Sequence, residues 1–505
     1  MSTISTATSS TASTTASTNA AVQQAAQSII SGSTGNSSMD VSSLVTALVN
    51  SKTAGQTAAL AAQQTSDNTQ LSAIGTLKAG LTALQAGLTS LSDGTMLSKF
   101  SATASGTGIT ATAGTGAVAG TYSVAVTQIA AAQSLTSGAF SATQTLGTGT
   151  LTVSVGGKSM SVNVNSTNNT LSGIAAAINS ASGNPGVTAT IVTGTTGAHL
   201  VLNSATTGAA NTISMSVSNL QNDHGLSSLG VTSTAGTGGA ASTIASSGSI
   251  AWTQSTAAQD AEFTIGSVAV NSSSNTVTGA IAGVTLNLSA ASVGAAAQTV
   301  TVAQDTASQA TAITNFVSLY NTLVTTMGKL ASFDSTQSSS AQGPLLGDPT
   351  LNTIRNTLST IVSDGVSSGT SSTSLASIGI TLQADGTLQT DTTALNSALQ
   401  NNPSTVASLF NSKNGVAAQL NNSITSFVQT GGIIDTRTTA LNTDLKSIAT
   451  QQASLADYTT QLTNQYQAQF TALNSLMATM NSNSQYLTQL FGGANSQGSM
   501  SANKA

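Results

Sequence analysis

The sequence LNTDLKSIATQQASLADYTTQLTNQYQAQFTALNSLMATM, residues 441–480, decides the fold of this chain. Its apolar side chains recur at intervals of three, four or seven residues. Residues with this spacing lie on one face of an α-helix, and such a face needs a partner helix to cover it. The same pattern occurs near the other end of the chain, in LSAIGTLKAGLTALQAGLTSL, residues 71–91. The sequence therefore predicts that the two ends of the chain pair as amphipathic helices.

We predict that part of this apolar face contacts other subunits. The candidate interface residues are Leu71, Ile74, Leu81, Leu84, Leu88, Leu441, Leu445, Ile448, Leu462, Tyr466, Phe470, Leu473 and Met477. The last five of these are the first choice. An ordinary helical bundle within one chain would give the same pattern, and periodicity does not separate the two interpretations.

Between the helical ends, residues 101–302 alternate apolar and polar side chains with the period of two that is typical of β-strands. Gly156–Gly157 lies between two such runs and predicts a hairpin, and one helix is predicted at Thr170–Asn179. Phe263–Val270 is predicted as a single strand. Residues 204–250 are rich in Gly, Ser, Thr and Ala, so we expect loops or short edge strands there. The region is expected to form two domains, the second over about residues 140–215.

The predicted fold class is α+β and multidomain, with terminal amphipathic helices in a bundle or coiled coil and β-rich domains inserted between them. The N-terminal helical segment, 39–100, contains a short helix at Met39–Asn50 and a longer one at Leu60–Leu91. A helical domain with a small hairpin follows the β-region, over 303–430. A final helix is expected over 431–491, with a break within it. Residues 1–38 and 492–505 are predicted to be disordered, the former competent for export.

Composition excludes several classes of function. Charged residues make up only 5% of the 505 residues, and only 10 of them are basic, so the phosphate-binding surface of a nucleic-acid-binding protein is not expected. The chain has no cysteine, which excludes disulfides and thiolate chemistry. No apolar run approaches the roughly 20 residues that span a bilayer, so membrane insertion is not expected. The N-terminus lacks the pattern of a cleavable signal peptide.

The sequence offers little for catalysis or for binding a metal or cofactor. Its two histidines, His199 and His224, lie far apart, and neither has a nearby acidic residue at a metal-ligand spacing. Asp260 and Glu262 could bracket a strand face, but a solvated edge explains them better. Gly-x-Gly-x-x-Ala occurs at 106–111, 114–119 and 236–241, but none of these matches opens a predicted helix, so dinucleotide binding is rejected. We predict that the protein is not an enzyme and has no cofactor.

Several segments resemble, in order, those of a known family, beginning with MDVSSLVTALV at residues 39–49 and LSAIGTLKAGLTALQAGLTSL at 71–91. The first is similar to the opening segment, and the second to the first long helix, of the flagellar hook-associated protein 2 family, which caps flagellar filaments. GTYSVAVTQIAAAQSLTSGAF at 120–140 is similar to the entry into its β-domains. GPLLGDPTLNTIRNTL, LASIGITLQADGTLQTD and IIDTRTTALNTDL follow, and they are specific to the family. The resemblance covers about residues 39–491.

This resemblance implies a homo-oligomeric ring, a pentamer, at the distal tip of an extracellular flagellum. The ring would hold exported flagellin and promote its folding and polymerisation. Flagellin, the hook–filament junction proteins and an export chaperone bound to the C-terminal helix are the implied partners besides the chain itself. Export by the flagellar type III route would need no cleavable signal. A secreted adhesin, or another axial component of the flagellum, is the alternative.

Overall fold

A computed structural model describes residues 23, 27, 40–336, 342–368, 371–410 and 413–491. The predicted disordered segments 1–38 and 492–505 fall outside the described residues, except for positions 23 and 27, which are helical. The chain forms two compact units, one of Met1–Gly94 with Ala310–Ala505 and one of Thr95–Gln309. Helices dominate the described part of the first unit and strands dominate the second, which confirms the predicted α+β multidomain fold.

The helices are defined in chain order. They are α1 (Val41–Ser92), α2 (Leu171–Ser180), α3 (Thr306–Leu330), α4 (Pro349–Asp364), α5 (Thr392–Asn401), α6 (Pro403–Phe410), α7 (Val416–Val428) and α8 (Ile433–Phe491). No described helix combines the length and apolarity needed to cross a membrane.

The strands are likewise defined in chain order. They are β1 (Phe100–Ala104), β2 (Ile109–Ala113), β3 (Gly120–Gln128), β4 (Ser134–Thr136), β5 (Thr148–Val155), β6 (Lys158–Val164), β7 (Val187–Gly194), β8 (Gly197–Ser204), β9 (Ile213–Asn222), β10 (Val231–Thr234), β11 (Thr243–Ser246), β12 (Thr253–Thr256), β13 (Ala261–Ile265), β14 (Val268–Ser272), β15 (Thr276–Ile281), β16 (Val284–Leu288), β17 (Gln298–Gln304), β18 (Val366–Ser368), β19 (Ser371–Thr373), β20 (Ile380–Leu382) and β21 (Leu388–Thr390).

Helix α1 is continuous, so the prediction of separate helices at Met39–Asn50 and Leu60–Leu91 is wrong. Asp40 caps its start, where Oδ1 accepts a hydrogen bond from the Ser43 amide at 3.0 Å. The intervening residues 51–59 are mostly small, and the hydroxyls of Thr53 and Thr57 donate to carbonyls four residues earlier. These residues carry no large apolar side chain, and Gly55 among them does not interrupt the helix.

Helix α8 is also continuous over its 59 residues, so the predicted break does not occur. Sharp kinks in helices arise mainly at proline, at glycine or at inserted turns. The sequence of α8 contains neither proline nor glycine, which removes the usual causes of a break.

The unit Thr95–Gln309 contains two apolar cores. One lies between the sheet β1-β17-β3-β13-β14 and the sheet β15-β16-β2, and includes Val124, Phe263 and Val300. The other is built from the sheet β11-β10-β9-β5-β6, the sheet β12-β4-β8-β7 and helix α2. This second core extends to Trp252, well beyond the predicted limit near residue 215.

Two predictions within the β-region are wrong. The stretch 204–250 was expected to hold loops or edge strands, but β9 is an inner strand between β5 and β10. Its residues Ile213 and Met215 are buried, and the serines that alternate with its apolar residues, at 214, 216 and 218, give the stretch the composition of a loop. The predicted strand Phe263–Val270 is a hairpin, β13 and β14, that turns at Gly266 with a φ of 61°. Glycine adopts this left-handed conformation without strain.

Candidate assembly surface

Helices α1 and α8 pack against each other in an antiparallel pair. At the start of α1, Val41 packs with Phe470, and Val45 and Val49 pack with Leu462. Farther along α1, Leu60 lies in a small apolar cluster with two residues of α8, Ile448 and Leu455. The pair therefore uses the apolar faces that the sequence pattern indicated.

Apolar side chains recur every seven residues along α8. Their exposed fraction rises beyond the point where α8 passes the start of α1. Leu441, Ile448, Leu455 and Leu462 are between 1% and 8% exposed. The next position of the repeat is the polar Gln469, and the one after it is Leu476, which is 57% exposed. In the antiparallel pair, residues after Phe470 extend past Val41, the first residue of α1.

The end of α8 thus carries an apolar row that the described residues leave exposed. We define the distal stripe as Leu473, Leu476, Met480, Leu487 and Leu490, which are 44–64% exposed. Spacings of three, four and seven residues keep these side chains on one side of the helix. Contiguous exposed apolar surface of this kind is typical of protein–protein contact sites.

The predicted interface residues fall into three groups by exposure. Seven are buried within the chain: Ile74, Leu81, Leu84, Leu88, Leu441, Ile448 and Leu462. Five are half-buried: Leu71, Leu445, Tyr466, Phe470 and Met477. Leu473 alone among the thirteen predicted residues is exposed, at 44%. Their contact with other subunits stays a prediction, and the structure assigns packing within the chain to most of them.

Four residues of the distal stripe, Leu476, Met480, Leu487 and Leu490, are not among the predicted interface residues. Leu476 and Leu490 lie at whole multiples of seven residues from Leu441, but the polar residues Gln469 and Asn483 interrupt the repeat before each of them. What the sequence did not provide was the position at which α1 stops covering α8, because this depends on the register of the pair.

A polar clamp holds the start of α8 against two other helices of its unit. Arg437 Nε donates to Asp348 Oδ2 at 3.1 Å, and Arg437 Nη2 donates to Gln70 Oε1 of α1 at 2.7 Å. Asp348 also caps α4, where its Oδ1 accepts from the amides of Thr350 and Leu351. The Asp348 side chain is only 5% exposed, so these hydrogen bonds replace the water contacts that its carboxylate loses on burial.

Asp67 of α1 lies close to this clamp. Burial raises the pKa of its carboxyl, the nearby Asp444 carboxylate raises it further, and the Arg437 guanidinium opposes both. Asp67 Oδ2 is buried and has no hydrogen-bond partner among the described residues. The surroundings of Asp67 at the junction of α1 and α8 therefore make ionisation of its carboxyl less favourable than in water.

The histidines and paired carboxylates found in the sequence have structural contacts in the β-rich unit. His199 Nδ1 lies 2.8 Å from the Ser137 carbonyl oxygen, and His224 is in a turn with a φ of 36°. Asp260 Oδ1 accepts a hydrogen bond from the Ala209 amide at 2.7 Å. Among the described residues, no three His, Cys, Asp or Glu side chains are grouped so as to hold a metal ion.

Comparison with known proteins gives consistent matches over most of the chain. Family models described as the N-terminus and C-terminus of flagellar hook-associated protein 2 match residues 37–133 and 258–482. A flagellin hook IN motif matches residues 150–206.

Individual relatives span nearly the same length. Flagellar hook-associated protein 2 of Escherichia coli K12 is 35% identical over 446 residues, which cover 85% of this chain and 91% of the relative. The B-type flagellar hook-associated protein 2 of Pseudomonas aeruginosa PAO1 is 31% identical, over 86% of this chain and 92% of the relative. The crystal structure of the flagellar cap protein FliD D1-D2-D3 domains from Escherichia coli matches with a TM-score of 0.59 and 36% identity. That match covers 73% of this chain and 99% of the crystallised one.

Proposed function

Because the chain belongs to the flagellar hook-associated protein 2 family, we propose that it caps the filament of a bacterial flagellum. The family is one of structural cap proteins and not a known enzyme family, and the flagellum is extracellular. At the distal tip, the cap retains exported flagellin and promotes its folding and its addition to the filament. It reaches the tip by export without a cleavable signal peptide.

The distal stripe is the observation that supports this proposal at the level of individual residues. A helix whose apolar repeat is buried as far as Leu462 and then exposed from Leu473 to Leu490 has surface left for another protein. We assign this surface to flagellin at the filament tip. Apolar contact without charge suits a partner that is bound and released repeatedly, because charged residues would fix one register.

Self-association supplies the remaining contacts of the cap. We propose a closed ring of identical copies, a pentamer, in which the paired helices α1 and α8 serve as legs. The hook–filament junction proteins meet the cap before the first flagellin arrives. An export chaperone covers the C-terminal helix, whose exposed apolar row needs protection before secretion.

The test is complementation of a strain that lacks the gene. Wild type and the double variant Leu476→Asp/Met480→Asp are compared by electron microscopy of filaments and immunoblotting of flagellin in the medium. Because both side chains are exposed, the variant is expected to fold and to form oligomers like wild type. It should restore few filaments and should leak monomeric flagellin.

The matched control is Ala478→Asp, which adds a carboxylate on the opposite side of the same helix. It should restore filaments as well as wild type does. Normal filaments with the double variant would overturn the assignment of the distal stripe. Normal filaments in the strain lacking the gene would overturn the capping function itself and favour a surface adhesin.

A further inference from the structure

On the outer edge of β7, some outward-facing backbone groups have hydrogen-bond partners and others have none among the described residues. Among the described strands, β7 pairs only with β8, in a hairpin whose register joins Gly194 with Gly197 across a two-residue loop. In such a hairpin the residues that flank the loop are hydrogen-bonded to each other, and every second residue follows. Val187, Ala189, Ile191 and Thr193 therefore direct their amides and carbonyls away from β8.

Two asparagine side chains close the first half of this edge. Asn184 accepts from the Val187 amide at 2.8 Å and donates to the Val187 carbonyl at 2.9 Å. Asn179 does the same for Ala189, at 2.8 and 2.7 Å. Each amide group takes the place of a neighbouring strand. In the described part of the chain, no side chain does this for Ile191 or Thr193.

A second open edge lies in the other core of the same unit. Strand β14 pairs only with β13, and the register joins Ile265 with Val268 across the loop at Gly266. By the same alternation, Ala269 and Asn271 direct their backbone groups outward. The sequence of β14, VAVNS, contains no charge and no proline, and Val268 is 63% exposed.

Two other edges of this unit, those of β6 and β15, carry features that block strand addition. Strand β6 begins with Lys158, and the Asn168 side chain donates to its Asn163 carbonyl at 3.0 Å. Strand β15 has a register shift between Thr278 and Ile281. Charges and bulges of this kind keep edge strands from pairing with other chains. The β7 tip and β14 lack them.

We propose that the open tip of β7, residues Ile191–Thr193, in one copy pairs with β14 of the next copy in the cap. An antiparallel register that opposes Ile191 with Asn271 and Thr193 with Ala269 offers up to four backbone hydrogen bonds. Val192, which is 53% exposed, then faces Val270. Because the two edges differ, the contact is heterologous, and a contact of this type forms a ring when the rotation between successive copies closes. The inference rests on the self-association in the proposed function.

Engineered cysteines test this register directly, because the natural chain contains none. Full-length Val192→Cys is mixed with full-length Val270→Cys under mild oxidation, and disulfide-linked dimers are measured on non-reducing gels. These positions form a pair without backbone hydrogen bonds, in which side chains of antiparallel strands come closest. The control mixture uses Ser159→Cys on the blocked edge of β6 in place of Val192→Cys.

Cross-linking at least about tenfold above the control mixture is the expected result. Cross-linking no higher than the control, with wild type oligomeric by mass photometry, overturns the inference and leaves the ring intact. A wild-type chain that remains monomeric at every accessible concentration overturns the self-association and the inference together.

Proline substitution provides a second readout. Thr193→Pro removes an amide that only a neighbouring copy would use, whereas Thr193→Val keeps it. Thr193→Pro should raise the apparent dissociation constant of the oligomer at least about tenfold, which is about 1.4 kcal/mol. Fluorescence of Trp252, which is 5% exposed, checks that the domain is folded. Equal oligomerisation of the two folded variants contradicts the proposed pairing.

Discussion

The two halves of helix α1 differ in how they are buried. In the second half, Leu77, Leu81, Leu84, Leu88 and Leu91 are fully buried, against neighbours that include α7 and α3. The first half packs mainly against α8, and between Val49 and Leu60 it has no large apolar side chain. We call the second half, which contains Leu77–Leu91, the bundle half and the first half, which contains Val41–Leu60, the paired half. The difference indicates that substitutions in the bundle half destabilise the unit more than substitutions in the paired half.

The largest effect that would test this comparison is expected from Leu84→Ala. Removing a fully buried leucine side chain from a packed site costs about 2–5 kcal/mol of unfolding free energy. Leu60→Ala, in the paired half, should cost about 2 kcal/mol or less, because fewer neighbours surround the cavity. Chemical denaturation followed by far-ultraviolet circular dichroism measures both. Equal losses would show that the two halves contribute alike.

Arg437→Ala tests the boundary between the two halves. The change leaves the buried Asp348 carboxylate without its cation and should lower the unfolding free energy by about 2–3 kcal/mol. This is less than for a fully buried pair, since the Arg437 side chain is 31% exposed. The control is Arg355→Ala at an exposed position of α4, with an expected change within about 0.5 kcal/mol. A similar small change in both variants would contradict a role for the clamp.

Two glycines of α1 provide an internal contrast. A Cβ at Gly55, in the paired half, would meet nothing within 4 Å, so Gly55→Ala should stabilise by about 0.5–1 kcal/mol. A Cβ at Gly87, in the bundle half, would clash with Leu319 Cδ1. Gly87→Ala should therefore not raise the unfolding free energy as Gly55→Ala does. Thermal unfolding followed by circular dichroism measures both. Equal stabilisation would indicate that the bundle half is packed as loosely as the paired half.

The smallest expected effect is the pH dependence due to Asp67. Its pKa is raised in the folded state, so the folded chain binds the proton more tightly than the unfolded chain. The stabilisation due to protonation is therefore complete below the unfolded pKa and is lost as the pH rises through the folded pKa. Asp67→Asn should remove this dependence and stabilise the unit at pH 7 by about 1 kcal/mol or less.

The measurement is the difference in unfolding free energy between wild type and Asp67→Asn from acidic to neutral pH. This difference cancels the opposite contributions of other carboxyls, such as Asp40 and Asp385, whose hydrogen bonds lower their pKa values. A difference that does not vary with pH would contradict the raised pKa of Asp67.

Local signals in the sequence predicted the ends of helices well. Asp348–Pro349 combines a capping residue with a proline at the first helical position, a pattern that predicts a helix start, and α4 begins at Pro349 with Asp348 as its cap. Asp93–Gly94 is a pattern that predicts a helix end, and α1 ends at Ser92. These signals succeed because capping depends on a few adjacent residues.

Features that depend on partners distant in sequence were not predicted. The small residues 51–59 carry no apolar stripe, and they remain helical in a continuous α1 that packs along α8. Strand β9 is rich in serine, and its place between β5 and β10 buries its alternate residues. The exposed end of the candidate site depends on the register of α1 against α8. A single sequence shows the stripe but not where the partner helix ends.

Because α8 is continuous, a change of its direction at one end displaces its other end. At about 1.5 Å per residue its 59 residues extend about 89 Å from a junction at Gly431, whose φ is 77°. A tilt of only about 4° at that junction would displace the far end by about 6 Å, close to the 5.4 Å of one helical turn. Because α8 packs along α1 as far as Phe470, such a tilt would carry the two helices together and displace the distal stripe by a similar distance. A small change of direction at one end of α8 is therefore enough to move the exposed apolar surface at its other end by about one helical turn.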